Sequence, residues 1–506
     1  MPGTGLLRTK SVEQSRADTD EPDTRLRKNL TVFDLVVFGV AVTIGAGIFT
    51  MTARTAGNIA GPGVSLSFVI AAVACGLAAL CYAEFASTVP VAGSAYTYSY
   101  ATFGEFVAWI IGWDLLLEFA LGAAVVGKGW SEYLQSVLEI VGLNVKTSVP
   151  LGGLEFDWGA VLLAVVLTIV LAAGVKLSAR VSQVITGIKI AVILLVIVAG
   201  IGYISGANYH PFIPAPETGG GGSSGLNQSL LSLIAGGSTS NFGVFGVLAG
   251  AAIVFFAFIG FDVVATTAEE TRNPQRDMPR GIMGSLAIVT VLYVAVALVV
   301  TGMVPYKALA TKPDGTKATL ATAFSAHGVT WAAAVISVGA LAGLTTVVMV
   351  LMLGQVRVLF AMSRDGLLPR PLAHTSGATG TPVRATLLVG VALVIAAGFF
   401  SADKLEEMVN VGTLAAFILV SVGVLILRRT RPDLPRSFRT PAVPLVPILA
   451  VLACVWVMLN LTTVTWLRFI GWMVAGVVLY FAYGYRNSRL AKLEREQTAT
   501  VTAAPE

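Results

Sequence analysis

Thr43–Phe49 reads TIGAGIF and Phe255–Asp262 reads FFAFIGFD, each inside an apolar run of about 20 residues, the span of a bilayer core. Gly45, Gly47 and Gly260 fall near the middle of these runs. Glycine is common in membrane helices because it lets neighbours pack closely, so packing explains either stretch alone as well as function does. The pair says more. The second run lies five spans after the first and so crosses in the opposite direction. Matching interruptions in two inverted halves mark the binding site of a transporter. Unwound backbone leaves N–H and C=O groups without helical partners. A carboxylate accepts from N–H groups at a helix N-terminus, and an ammonium donates to freed carbonyls.

Working outward, apolar runs recur at about 31–54, 63–87, 105–128, 158–176, 182–204, 243–268, 281–303, 331–361, 384–401, 408–428, 442–462 and 466–485. Only 12% of the 506 residues are charged, against about 25% in soluble domains, so an all-α polytopic membrane protein is the expected class. Cations concentrate in alternate loops: Lys176 and Arg180; Arg272, Arg276 and Arg280; Arg364 and Arg370; Arg428, Arg429, Arg431, Arg436 and Arg439. Both tails are basic too, which places both termini in the cytoplasm of a cell carrying the protein in its inner or plasma membrane. The first thirty residues are polar and show no apolar core followed by a small-residue cleavage site, so a disordered tail is expected there rather than a signal peptide.

Several classes are excluded. Cys75, Cys81 and Cys454 all lie in apolar runs, and His210, His327 and His374 all lie in loops. No disulfide framework, histidine metal centre, cofactor or hydrolytic centre is expected, and an enzyme is not. Gly219–Gly225 reads GGGGSSG, a flexible linker; a phosphate loop needs a preceding strand and a following Lys-Ser/Thr. No basic, aromatic-interleaved patch suggests nucleic acid. The expected partners are a small amino acid, protons and membrane lipids.

Charged side chains inside the membrane are expensive and face partners or a cavity. Lys189 follows Thr186 by three residues and Ser182 by seven, so the three share a polar helix face that should look into the bundle. The alternative is a lysine that snorkels to the headgroups. Burial disfavours the charged form of an amine, which lets such a group exchange its proton in the physiological range. Asp114 and Glu118 stand one turn apart in the third span, and Asp262 follows Gly260 in the sixth. Glu118 or Asp262 can partner Lys189 or relay its proton; the alternative for all three carboxylates is static bonding between helices. Glu84, near the end of the second span, is expected to be interfacial structure.

These stretches carry a resemblance. TIGAGIF, GEFVAWIIGWDLLLEFALG (Gly104–Gly122), FFAFIGFDVVATTAEETRNPQRDMPRGI (Phe255–Ile282) and QVRVLFAMSRDGLLP (Gln355–Pro369) resemble the amino acid–polyamine–organocation superfamily. The chain looks most like bacterial relatives of its cationic amino acid transporter branch, from about Leu30 to Tyr485. The resemblance implies a leucine-transporter-type fold: two inverted five-helix repeats with the first and sixth helices broken, and two peripheral helices. It also implies sodium-free amino acid transport, often coupled to protons. The domains are then a cytoplasmic tail (1–30), a first repeat (31–204), an extracellular loop (205–242), an inverted repeat (243–428), a loop with two helices (429–485) and a tail (486–506). The substrate carboxylate is expected at the backbone of Thr43, Gly45, Ala46 and Gly47, and the ammonium at the carbonyls of Phe256, Ala257 and Ile259. Some relatives carry a hydroxyl residue between the two glycines where this chain has Ala46. Lys189 occupies the place where sodium-coupled relatives hold a cation between the first and eighth helices, and Glu118 and Asp262 belong to a polar network near it.

A cationic substrate needs its own anionic partner. If Asp262 and Glu118 serve Lys189, the remaining walls are apolar or small: Phe256, Ile259, and Gly343, Leu344, Thr345 and Thr346 on the eighth span. Leu344 favours small neutral substrates such as alanine. Arginine or lysine is the second reading, and a transporter-fold nutrient sensor without flux is a third of a different class.

Overall fold

The computed structural model describes residues 30–88, 94–151, 154–174, 179–217, 225–235, 241–311, 317–376 and 381–492. The expected tail before Leu30, Lys176, the side chains of Arg180 and Ser182, most of the GGGGSSG linker and the residues after 492 lie outside this description. Among the described residues, eight helical segments are long and apolar enough to cross a bilayer, and four more are apolar but shorter.

In chain order, α1 is split into α1a (Val32–Thr43) and α1b (47–60), and α2 is Val64–Thr88. α3 (Glu105–Ile140) leads into an antiparallel hairpin of β1 (Ser148–Leu151) and β2 (Leu154–Asp157). α4 (Trp158–Ala172) and α5 (Ala179–Ile201) follow. α6 is again split, into α6a (Gly243–Val254, with a tight turn Phe255–Phe258) and α6b (Asp262–Glu270). Then come α7 (Pro274–Met303), α8 (Thr330–Arg364), α9 (Val383–Phe399), α10 (Ala402–Thr430), α11 (Leu445–Leu459) and α12 (Thr463–Leu479).

Local signals set several starts. Thr31 and Asp34 form a reciprocal capping box on α1a, and Asp157 caps α4 through the Ala160 amide. Leu30 pairs with the chain just after α6b, donating to Glu270 O at 2.9 Å and accepting from Arg272 N at 3.0 Å. α3 outruns its apolar stretch: it has 36 residues and so is about 54 Å long. Its extra turns bury Ser131 and Tyr133 beneath the β1–β2 hairpin and the Leu320–Ala326 helix, burial that hydropathy alone cannot register.

The packing repeats with a shift of five. α2 lies on α7, α3 on α8 and α4 on α9. The α1a–α7 contact recurs as α2–α6a, α5–α8 as α3–α10, and α5–α7 as α2–α10. A two-fold relation between two five-helix units would give this pattern. α1, α2, α6 and α7 form one group; α3, α4, α8 and α9 form another; α5 and α10 touch both.

α11 packs outside, on α10 and α2, and α12 on α10 and α3. Tryptophans hold α12: Trp109 donates to Gly476 O at 2.8 Å, Trp113 donates to Trp472 O at 2.9 Å, and the Trp113 and Trp472 rings stack at 4.3 Å. Such a pair contributes about 0.5–1.5 kcal/mol beyond burial. Trp472→Leu should therefore lower the melting temperature of the detergent-purified protein without changing substrate affinity; an unchanged melting curve would show that the stack holds nothing.

Candidate functional site

α1a ends where its carbonyls run out of helical partners. Ile44 still donates to Val40 O at 2.9 Å, but the chain then leaves the helix with ψ of 89° at Ile44. Two carbonyls of this last turn are taken by side chains from other helices. Lys189 Nζ on α5 donates to Ala41 O at 2.7 Å, and the Tyr293 hydroxyl on α7 lies 2.7 Å from Thr43 O. An amine at a helix C-terminus suits the negative end of the helix dipole. α1b begins at Gly47, and the first amides of a helix have no intrahelical acceptor; Phe49 N, a little further on, reaches Gly45 O at 3.4 Å.

α6 breaks at the same depth. After Phe255–Phe258 the chain is extended at Ile259 (φ −63°, ψ 133°), and Gly260 takes φ of +125°, which only glycine adopts freely. A Cβ at Gly260 would stand 3.1 Å from Thr43 N. A Cβ at Gly47 would overlap the Cα of Ala257. The packing explanation of these glycines is thus realised: the breaks lie where the two helices cross too closely for side chains. Tyr293 joins them, since its hydroxyl also reaches Ala257 O at 3.0 Å.

Lys189 is 1% exposed and lies between α1a and α8, its stem 2.9 Å from where a Gly343 Cβ would be. It does not snorkel. It makes no ion pair with a described residue, so the expected partnership with Glu118 or Asp262 is absent. Asp262 instead caps the break, accepting from Gly260 N at 3.1 Å. Asp114 lies against Gly412 of α10, and both Asp114 and Glu118 are buried. The helix rotations that aim these carboxylates at α10 and at backbone amides were not readable from one-turn spacing.

The remaining expected residues divide. Thr43, Gly45, Gly47, Ala257 and Gly260 meet at the crossing, with Phe256 and Ile259 beside them. Ala46 turns its methyl toward Gly129 of α3. The α8 residue over Gly45 is Val347, whose Cγ1 is 3.5 Å from where a Cβ there would be. Val347 is thus the α8 side chain set against Gly45, and Leu344 is buried about one turn away. Thr345 and Thr346 spend their hydroxyls on Leu341 O and Gly343 O of their own helix. Tyr293 and Val347 were missed. A lone tyrosine in the middle of the seventh apolar run was the available signal, because a buried phenol needs a partner.

Ion pairs close both ends of α10. At the hairpin face Arg54 of α1b donates to both Glu406 oxygens, at 2.7 and 2.6 Å, and meets Asp403 at 3.2 Å. At the arginine-rich face Glu84 of α2 accepts from Arg428 at 2.8 and 2.7 Å and from Thr440 N at 2.7 Å. The expected interfacial structure at Glu84 is thus a fully bonded carboxylate.

The family model described as "Amino acid permease" matches residues 30–481, which include every element of this site. The chain belongs to that family. Among its relatives, a methylthioribose transporter of Bacillus subtilis (strain 168) is 42% identical over 96% of this chain and 99% of that protein. A branched-chain amino acid permease of the same organism is 41% identical over the same shares. A vacuolar cationic amino acid transporter of Arabidopsis thaliana is 38% identical over 85% of this chain and 68% of that protein. In an amino acid permease, a side chain that ties both broken helices should matter to turnover. Tyr293→Phe removes the one hydroxyl proton that Thr43 O and Ala257 O share, and an orphaned buried acceptor costs about 1–3 kcal/mol. Proteoliposome uptake should fall about tenfold or more, while uptake within twofold of wild type would mean the bridge is dispensable.

Proposed function

We propose that this permease imports neutral L-amino acids together with protons and without sodium, by alternating access. The observation that carries the proposal is the pair of breaks crossing at Gly47 and Ala257, with Lys189 and Tyr293 on the freed carbonyls. The α-carboxylate would sit on the first amides of α1b, at Gly45, Ala46 and Gly47. The α-ammonium would donate to the carbonyls of Phe256, Ala257 and Ile259, sharing Ala257 O with Tyr293. Phe256, Ile259 and Val347 would read the side chain, and none of them offers a counter-charge. The branched-chain relative is named for amino acids with apolar side chains, which agrees. The cationic reading draws on the Arabidopsis relatives and on Asp114 and Glu118, which serve no lysine in this structure.

Lys189 is proposed as the proton switch. Its ammonium holds α1a against α5 and α8, and a neutral amine would hold it more weakly, so opening on the arginine-rich face would follow proton release. That face is proposed as cytoplasmic, with both termini on it, 31–204 and 243–428 as the inverted repeats, and the β1–β2 hairpin outside. Cysteine labelling that places hairpin residues inside would reverse the orientation.

Uptake into proteoliposomes tests the rest and separates a permease from a sensor without flux. Glycine, alanine and isoleucine should compete strongly with labelled alanine, and arginine weakly; methylthioribose as the best competitor would move the cargo out of the amino acid class. Lys189→Ala should abolish the stimulation of uptake by an inward proton gradient while the protein still purifies as a folded species. A wild-type response to the gradient in that variant would leave the lysine a structural strut.

A further inference from the structure

The β1–β2 hairpin has two unlike faces. In an antiparallel ladder, residues directly opposite each other project on one side, and successive pairs alternate. Ser148 opposite Asp157 and Pro150 opposite Glu155 therefore share a side. All four line a polar cavity together with Lys128 and Glu132 of α3. Val149 opposite Phe156 lies on the other side, and Leu151 shares it. There the Phe156 ring packs on Phe399 at the end of α9, with 5.4 Å between ring centroids. Val149 and Leu151 are left 39% and 58% exposed.

The surroundings say what meets this face. α4 and α9 each expose an apolar stripe at helical spacing: Leu162, Val165 and Ile169 on α4, and Leu388, Val391 and Ile395 on α9. In a chain that spans a bilayer such stripes face the acyl chains. Yet α4 has 15 residues and α9 has 17, so they are about 22 and 26 Å long, short of a hydrocarbon core of about 30 Å. A short span is accommodated by thinning the bilayer or by flanking groups that extend it. Here the apolar surface runs on past the helix ends at the hairpin side. α9 finishes on the exposed Phe399 and Phe400, and Phe156 and Val149 carry the surface from Phe399 onto the hairpin. Trp158 opens α4 at this level and donates its indole N–H to Lys146 O at 3.0 Å. Tryptophan is the residue that favours the headgroup boundary. The outer helices pack elsewhere, α11 on α10 and α2, and α12 on α10 and α3.

We propose that the β1–β2 hairpin lies in the membrane surface, with Val149 and Leu151 set among the acyl chains just below the headgroups and Glu155 turned to the polar cavity. Its partner is the lipid leaflet at the hairpin face. The depth is limited to that boundary, because the free strand edges need water for their backbone groups and the hydrocarbon core has none. The hairpin is also bonded to α3: Thr147 donates to Ser131 O at 3.2 Å, and Ser131 donates to Asp157 at 2.6 Å. Lipid contact at Val149 and Leu151 therefore anchors the end of α3 as well as the starts of the chain around it. The inference goes beyond the transport reading and holds for any cargo.

The test is site-directed fluorescence quenching in the full-length protein. Leu151→Cys and Val149→Cys are labelled with bimane and reconstituted into phosphatidylcholine nanodiscs, where both faces meet the buffer. Glu155→Cys, on the cavity side of the same hairpin, is the reference. Cys75, Cys81 and Cys454 are buried, and wild type treated in the same way gives the blank. Lipid brominated within about 10 Å of the headgroups, the depth that an interfacial segment reaches, should quench the Leu151→Cys and Val149→Cys labels about threefold more than the Glu155→Cys label. Aqueous iodide should give the reverse order. Iodide quenching of the two apolar-face labels as strong as that of Glu155→Cys overturns the proposal and puts the face in water. Labels shielded from both quenchers also overturn it, because a second copy or another protein then covers the face. Both apolar-face positions are exposed, so a single variant that purifies as a monodisperse species is enough to decide.

Discussion

The crossing of two broken helices, Gly47 on Ala257 and Gly260 on Thr43, is the contact on which the rest of the molecule depends. Breaking a helix at mid-depth strands carbonyl and amide groups where no water compensates them. The carbonyl side of α1a is satisfied by Lys189 from α5 and Tyr293 from α7. The first amides of a helix have no intrahelical acceptor, and the proposed carboxylate seat rests on that asymmetry. α5 and α7 are therefore more than walls: each closes a helix end that the fold has opened.

α10 places the same logic at the two faces. It is tied to α1b by Arg54 at one end and to α2 by Glu84 at the other, both through paired hydrogen bonds to a buried carboxylate. Breaking a buried pair by removing one partner is costly, commonly about 3–5 kcal/mol. α10 is thus tied to the group of α1 and α2 at both of its ends.

Overall similarity does not name the cargo. The methylthioribose and branched-chain relatives are 42% and 41% identical to this chain over nearly all of its length. On the proposed reading, discrimination falls to the few side chains at the crossing, Phe256, Ile259 and Val347.

The sequence by itself determined the class, the order of the apolar helices and the place of both breaks. Hydrocarbon admits few backbone solutions, so long apolar runs read directly as helices. Glycines at matching depths five spans apart announced the crossing. It also singled out Lys189, because a charge so far inside an apolar run has few bland explanations. What only the tertiary structure decided was which way each helix turns. Rotation about a helix axis is set by packing on several neighbours at once, and one-turn spacing in a helix apolar on nearly all sides does not encode it. Hence Asp262 and Glu118 were legible as buried carboxylates but not as groups without a bond to Lys189, and the eighth helix was legible but its contact through Val347 was not. Lys128 and Asp157 lie 29 positions apart in the chain and meet only because the hairpin folds back over α3.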